Sequence, residues 1–193
     1  WSNDWQETVE ADGAGGGNAQ VQDGFSGDGG GNTELKLKNG NSVWREADLS
    51  GAASATLSFD YARVGLEADD HLVVYAQTGG DTGGVGVPGA PGAWDEIGRF
   101  SGAADDAAYL STTIDLSGYL ATDTRVLFYA EGASQGDDNI FADNVRIDLG
   151  AAPANSPTGA TNLTSTSSYT EGDANVAITD IVVSDAFFLS RRR

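Results

Sequence analysis

The stretch Asp137-Asp138-Asn139-Ile140-Phe141-Ala142-Asp143-Asn144-Val145-Arg146-Ile147-Asp148 decides how the rest of the chain is read. An acidic turn runs into residues that alternate apolar and polar side chains, the period-two pattern of a half-buried strand. It reads as the closing strand of a β-sandwich, with carboxylates set to hold a cation. Working outward, the same period recurs at Asp4 to Val9, Ala19 to Gln22, Thr33 to Lys38, Ser42 to Asp48, Ala55 to Arg63, His71 to Gln77, Trp94 to Phe100, Tyr109 to Leu116 and Arg125 to Glu131. No helical stripe interrupts them. Short strands separated by Gly, Asn and Asp turns predict an all-β, antiparallel jelly-roll β-sandwich.

The 193 residues suffice for one domain with its own core plus a tail. Asp and Glu number 29 against 10 Lys and Arg, for a net charge of −19. Such a chain repels nucleic acid and anionic membrane and attracts divalent cations. No run approaches the roughly 18 apolar residues that span a bilayer, and no basic-then-apolar leader opens the chain. A soluble, already processed protein is expected, with no membrane insertion. With 0 Cys, thiolate metal sites and disulfides are excluded. An acidic, Gly-rich, Cys-free composition suggests a bacterial protein, extracellular or on the cell surface, that uses calcium as its staple.

The Asn-Gly pair in Lys38-Asn39-Gly40-Asn41 predicts a tight hairpin turn. Asp48-Leu49-Ser50-Gly51 is echoed by Asp115-Leu116-Ser117-Gly118, which suggests the same sheet-edge geometry twice. Thr78 to Ala93 holds seven Gly and two Pro and reads as a long loop. Three segments follow: a jelly-roll sandwich over residues 1–149, a linker over 150–168, and a strand segment over 169–193. In the last, Val176, Ile178, Ile181 and Val183 could fill apolar sites on another copy, giving a homopolymer by strand addition.

Calcium takes about six to eight oxygen ligands. Glu7 on the first strand, Asp12 after it, and Asp137, Asp138 and Asp143 around the last strand form the expected set, because first and last strands of a jelly roll commonly adjoin. Asp60, Asp69 and Asp70 are alternatives. Gly132-Ala133-Ser134-Gln135-Gly136 matches the nucleophile pattern G-x-S-x-G but leads into a β-turn, whereas that motif must run from strand into helix. His71 is the only histidine, so one base is available to any Ser-His relay. Gly84, Gly86 and Gly89 satisfy G-x-G-x-x-G with Pro88 inside and no helix after. Paired carboxylates for glycoside hydrolysis depend on folded geometry, and no catalytic residue is expected. Of the four Trp and the tyrosines, most should be core. Trp94, beside the long loop, is the candidate for stacking on a sugar.

Asp4-Trp5-Gln6-Glu7, Thr33-Glu34-Leu35-Lys36-Leu37, Ala55-Thr56-Leu57-Ser58-Phe59-Asp60-Tyr61, Leu72-Val73-Val74-Tyr75-Ala76, Trp94-Asp95-Glu96-Ile97 and Ala142-Asp143-Asn144-Val145-Arg146-Ile147 together resemble the jelly-roll modules of large secreted bacterial adhesin-type proteins. Those modules are similar to calcium-stabilised carbohydrate-binding modules and to MAM-type domains. The resemblance implies Glu7 and Asp143 as calcium ligands. Tyr169 to Asp185 resembles the start of a cadherin-like repeat, though Ala186-Phe187-Phe188-Leu189-Ser190 and three Arg replace its continuation. Two functions are therefore expected: a non-catalytic, calcium-stabilised adhesive or structural module that self-assembles into filaments, or a carbohydrate-binding module that takes an extracellular glycan.

Overall fold

The computed structural model describes residues 1–10, 12–13, 15–22, 25, 33–79, 84–90, 92–134 and 136–151. Residues 152–168 of the expected linker and the strand segment with Val176, Ile178, Ile181 and Val183 lie outside the described residues, while residues 150 and 151 belong to the last strand. Among the described residues eleven strands are present: β1 (Gln6–Glu7), β2 (Ala19–Gln22), β3 (Glu34–Leu37), β4 (Ser42–Ala47), β5 (Ala52–Val64), β6 (His71–Gln77), β7 (Val85–Gly86), β8 (Ala93–Ser101), β9 (Leu110–Asp115), β10 (Thr124–Glu131) and β11 (Asn139–Ala151). They form a six-stranded sheet ordered β1-β4-β10-β6-β8-β7 and a five-stranded sheet ordered β2-β3-β11-β5-β9. Every recorded strand pair is antiparallel. The all-β sandwich expected from the alternation is the fold observed.

From β3 onward nearly every connection carries the chain to the opposite sheet, which alters one expectation. Asn39 and Gly40 take the positive φ values of 55° and 67°, and the Asn41 N–H donates to the Lys38 carbonyl at 3.1 Å. The turn chemistry is as read, but β3 and β4 belong to different sheets. A tight turn thus serves here as an arch between layers. The echoed Asp-Leu-Ser-Gly segments do share geometry. Asp48 accepts from the Ser50 amide at 3.0 Å and Asp115 from the Ser117 amide at 2.8 Å, while Leu49 and Leu116 are both buried. The final strand also extends past Asp148 to Ala151, which pairs with Ala52.

Alternation places one side of each strand in a shared core. Leu57, Phe59 and Tyr61 of β5 and Ile140 and Ala142 of β11 face Leu72, Val74 and Ala76 of β6 and Val126, Phe128 and Ala130 of β10. At its centre Phe59 and Phe128, from opposite sheets, meet edge-to-face with centroids 5.0 Å apart at 84°. Trp5 packs its ring 5.7 Å from Phe128 and Phe100 lies 5.8 Å from Phe59, extending the aromatic contact. Such pairs add to burial when their geometry is edge-to-face. Truncating a buried Phe costs about 3–5 kcal/mol. Phe128→Ala should lower the unfolding free energy by that amount, measured by denaturant titration, because it removes contacts in both sheets at once.

Candidate functional site

The outer face of the six-stranded sheet carries a second apolar cluster, made of Val73 and Tyr75 of β6, Trp94 of β8, Leu127 of β10 and Val87 beyond β7. Trp44 of β4 and Tyr129 of β10 are half-buried against it. The register explains the strip: Leu127 pairs across from Trp44 on one side and from Tyr75 on the other, with Tyr129 two residues further along. An alternating strand that is apolar on both faces has buried more than one layer needs.

Ion pairs close both ends. At one, Arg125 Nε donates to Glu46 Oε2 at 2.9 Å while its guanidinium lies 4.9 Å from the Trp44 ring centre. At the other, Arg99 Nη2 donates to Glu96 Oε2 at 2.7 Å and Arg99 Nη1 donates to Glu131. Hydrogen bonds from Arg99 hold the Glu96 carboxyl below its ordinary range, and both carboxylates push the Arg99 guanidinium above its own. Burial, then the nearby Glu131 charge, raises the phenols of Tyr75 and Tyr129. Both therefore stay protonated at neutral pH and can donate hydrogen bonds. The Nδ1 of His71, next to Glu131 across the ladder, is buried with no hydrogen-bond partner among the described residues.

Trp94 corrects an expectation. It stands on this face, yet it is 0% exposed. Residues 84–90 fold back over it, so in this conformation its ring cannot stack on a sugar. On this face Trp44 and Tyr129 are the half-buried aromatics, in contact with solvent. Their exposure was illegible in the sequence, because alternation alone does not say that both faces of β10 are apolar.

The five acidic residues grouped as a cation site do not form one set. β1 belongs to the six-stranded sheet and β11 to the five-stranded one, so the first and last strands are not neighbours. Glu7 lies beside a cavity of about 280 Å³ lined also by Glu10, and its Oε2 is buried without a hydrogen-bond partner among the described residues. Asp12 lies near Glu10 against Gly17. Glu10 is itself occupied: the Asn18 amide donates to its Oε2 at 2.5 Å, which holds its carboxyl low. Asp143 faces Asp60 across the β11–β5 ladder and accepts from the Asn144 amide at 2.7 Å. Asp137 is exposed.

Asp138 alone joins a compact group, with Glu67 and Asp70 of the β5–β6 turn. Their carboxylate oxygens lie within 4.8 Å of one another, and Asp70 and Asp138 are buried. Gly132, at φ 83°, makes the approach possible, since a Cβ there would stand 2.6 Å from Asp70 Oδ1. The Asp70 side chain bonds Glu67, and this, with burial and the Asp138 charge, raises the Glu67 carboxyl above its ordinary range. Oxygen donors in this arrangement suit a hard divalent cation. Asp70 was an alternative in the sequence reading, whereas Glu67 gave no signal. It enters the group only because the β5–β6 turn packs on the β10–β11 turn.

A third feature is an open polar groove of about 780 Å³ on the outer face of the five-stranded sheet, lined by Ser58, Asp60, Ser111, Thr113, Asn144 and Arg146 among others. The two-residue bulge between Asp143 and Arg146, with Asn144 at φ 51°, opens it. Its groups bond one another, Asn144 Nδ2 donating to Asp60 Oδ2 at 2.8 Å and Arg146 Nε to Ser58 Oγ at 3.2 Å.

No family model and no curated protein matches the chain. Solved structures do. TmCBM61, in complex with beta-1,4-galactotriose, is similar with a TM-score of 0.50 and 11% identity, over 75% of this chain and 88% of that one. The CBM22-1 xylan-binding domain of Paenibacillus barcinonensis Xyn10C matches with a TM-score of 0.48 and 11% identity, over 79% and 89%. The K1 cleaved adhesin domain of Lys-gingipain from Porphyromonas gingivalis W83 matches with a TM-score of 0.46 and 19% identity, over 76% and 91%. At 11% identity the likeness to TmCBM61 shows a shared fold.

Proposed function

We propose that the chain is a non-catalytic, extracellular glycan-binding module whose ligand lies along the outer face of the six-stranded sheet. The observation that carries this is the strip in which half-exposed Trp44 and Tyr129 stand over an apolar floor, between two charged hydrogen-bonding ends. Apolar sugar faces pack on aromatic rings, and a few placed polar groups fix orientation. The fold is shared with a module solved on a galactotriose. Trp44→Ala and Tyr129→Ala should each weaken glycan binding by about tenfold or more, roughly 1.4 kcal/mol. A glycan array followed by calorimetry on the best ligand checks this, and unchanged affinity in both folded variants would overturn the site.

Calcium is proposed as the staple of this module, held by Glu67, Asp70 and Asp138 in place of the set expected from sequence. A cation would supply the positive charge that three adjoining carboxylates lack. A specific site at a hundredfold excess over its Kd adds about 2.7 kcal/mol, or roughly 5–10 °C in Tm for a domain of this size. The pH dependence has a definite sign. Because the folded Glu67 pKa is raised, its contribution to stability is present below the unfolded carboxylate range and is lost as pH rises through the folded value. In chelator at pH 7, Glu67→Gln should therefore match or exceed the native chain in Tm. It should also lose most of the calcium response; a full response in that variant would move the cation elsewhere.

A second reading, as an adhesive or structural subunit that polymerises, has one observation in its favour. Among the described residues β9 ends the five-stranded sheet and pairs on one side only, with β5. An edge of six residues can accept a strand. If residues 169–193 supply it to another copy, electron microscopy of the full chain should show filaments, and deleting that segment should abolish them.

A further inference from the structure

The segment Val85–Ala90 crosses the strip like a strap. At the β8 edge, Val85 and Gly86 pair with Trp94 and Ala93. At the β1 edge, Gly89 sits against the Thr8 carbonyl at φ 73°, so close that an added Cβ would come within 2.5 Å of it. Between the two, Val87 is 4% exposed against Val73, Tyr75, Trp94 and Leu127.

Its fastening is slight. A two-residue ladder is marginal by itself, and Val85 is 58% exposed. Gly86, Pro88 and Gly89 are also exposed, which leaves Val87 as the buried plug, with Ala90 half-buried beside it. Beneath it lie two large aromatic side chains and an aliphatic floor, more apolar surface than a Val and an Ala require. A Gly-rich strap is costly to hold in one conformation.

Resting on the glycan reading above, we propose that the strap is a displaceable cover that competes with ligand for the apolar half of the strip, with Val87 as the residue that sets affinity. Closed, the face offers Trp44 and Tyr129; open, it adds Tyr75 and Trp94. Arg125 to Glu131 spans about 20 Å along β10 at the usual rise per residue, room for an oligosaccharide. Arg125 is neutralised by Glu46, and Arg99 by Glu96 and Glu131. Among the described residues both arginines of the strip are thus paired with carboxylates, which favours a neutral chain over an acidic one as the ligand.

The test uses the full chain with soluble β-1,4-galactan, xylan and cello-oligosaccharides as probes. Val87→Asn should bind the preferred probe about tenfold tighter than the native chain, and Trp94 should become accessible to acrylamide quenching. In the native chain, bound probe should speed amide hydrogen exchange at Val85 and Gly86. Binding that leaves those amides unchanged or slower, with no gain in folded Val87→Asn, overturns the cover while the glycan site stands. If neither chain binds any probe although quenching confirms that Trp94 is exposed in Val87→Asn, the glycan reading falls and this inference with it.

Discussion

The contact between Phe59 and Phe128 joins an internal strand of one sheet to an internal strand of the other, and most of the architecture follows from keeping it buried. β5 and β10 are both internal strands, flanked on both sides, and each presents its aromatic inward through strict alternation. With the two rings edge-to-face, the inner faces are committed to the core. Whatever the molecule does must be done on the outer faces or at the turns. The three features described above occupy those positions: a strip on one outer face, a groove on the other, and carboxylates where two turns meet.

The two outer faces differ in kind. On the five-stranded sheet Asp60, Ser58, Ser111 and Arg146 satisfy one another, so its groove is wet and internally bonded. On the six-stranded sheet the same period yields Leu127, Tyr75 and Val73 facing away from the core, which water would not tolerate without cover. Trp44, Tyr129 and the strap supply that cover. The glycan proposal thus grows from an asymmetry between faces that fold alone does not demand.

All ten strands read from period-two alternation are present, since that signal is local and strong. β7 escaped it, because two residues inside a Gly-rich loop carry no period. What the sequence concealed was partnership. Lys38-Asn39-Gly40-Asn41 announces a turn but cannot say whether its arms pair with each other or with other strands. The carboxylates were grouped by assuming that the first and last strands adjoin, and the sheets separate them. Asp138 was visible through its place before β11, while Glu67 became relevant only through the contact of two turns far apart in sequence. Trp94 was read as exposed because it adjoins the long loop, whereas residues of that loop lie on top of it.

Strand order has a last consequence, for the timing of folding. β10 sits between β4 and β6, and β11 between β3 and β5, so the latest strands are the centres of their sheets. Until they are available, β3, β4, β5 and β6 lack the partners that complete their ladders. Contacts this distant in sequence make folding slow. As the chain emerges from its N-terminus, the six-stranded layer cannot close before Glu131 is free, nor the five-stranded layer before Ala151. Each sheet is thereby completed by a late strand, and the sandwich gains its full set of ladders only when both have joined.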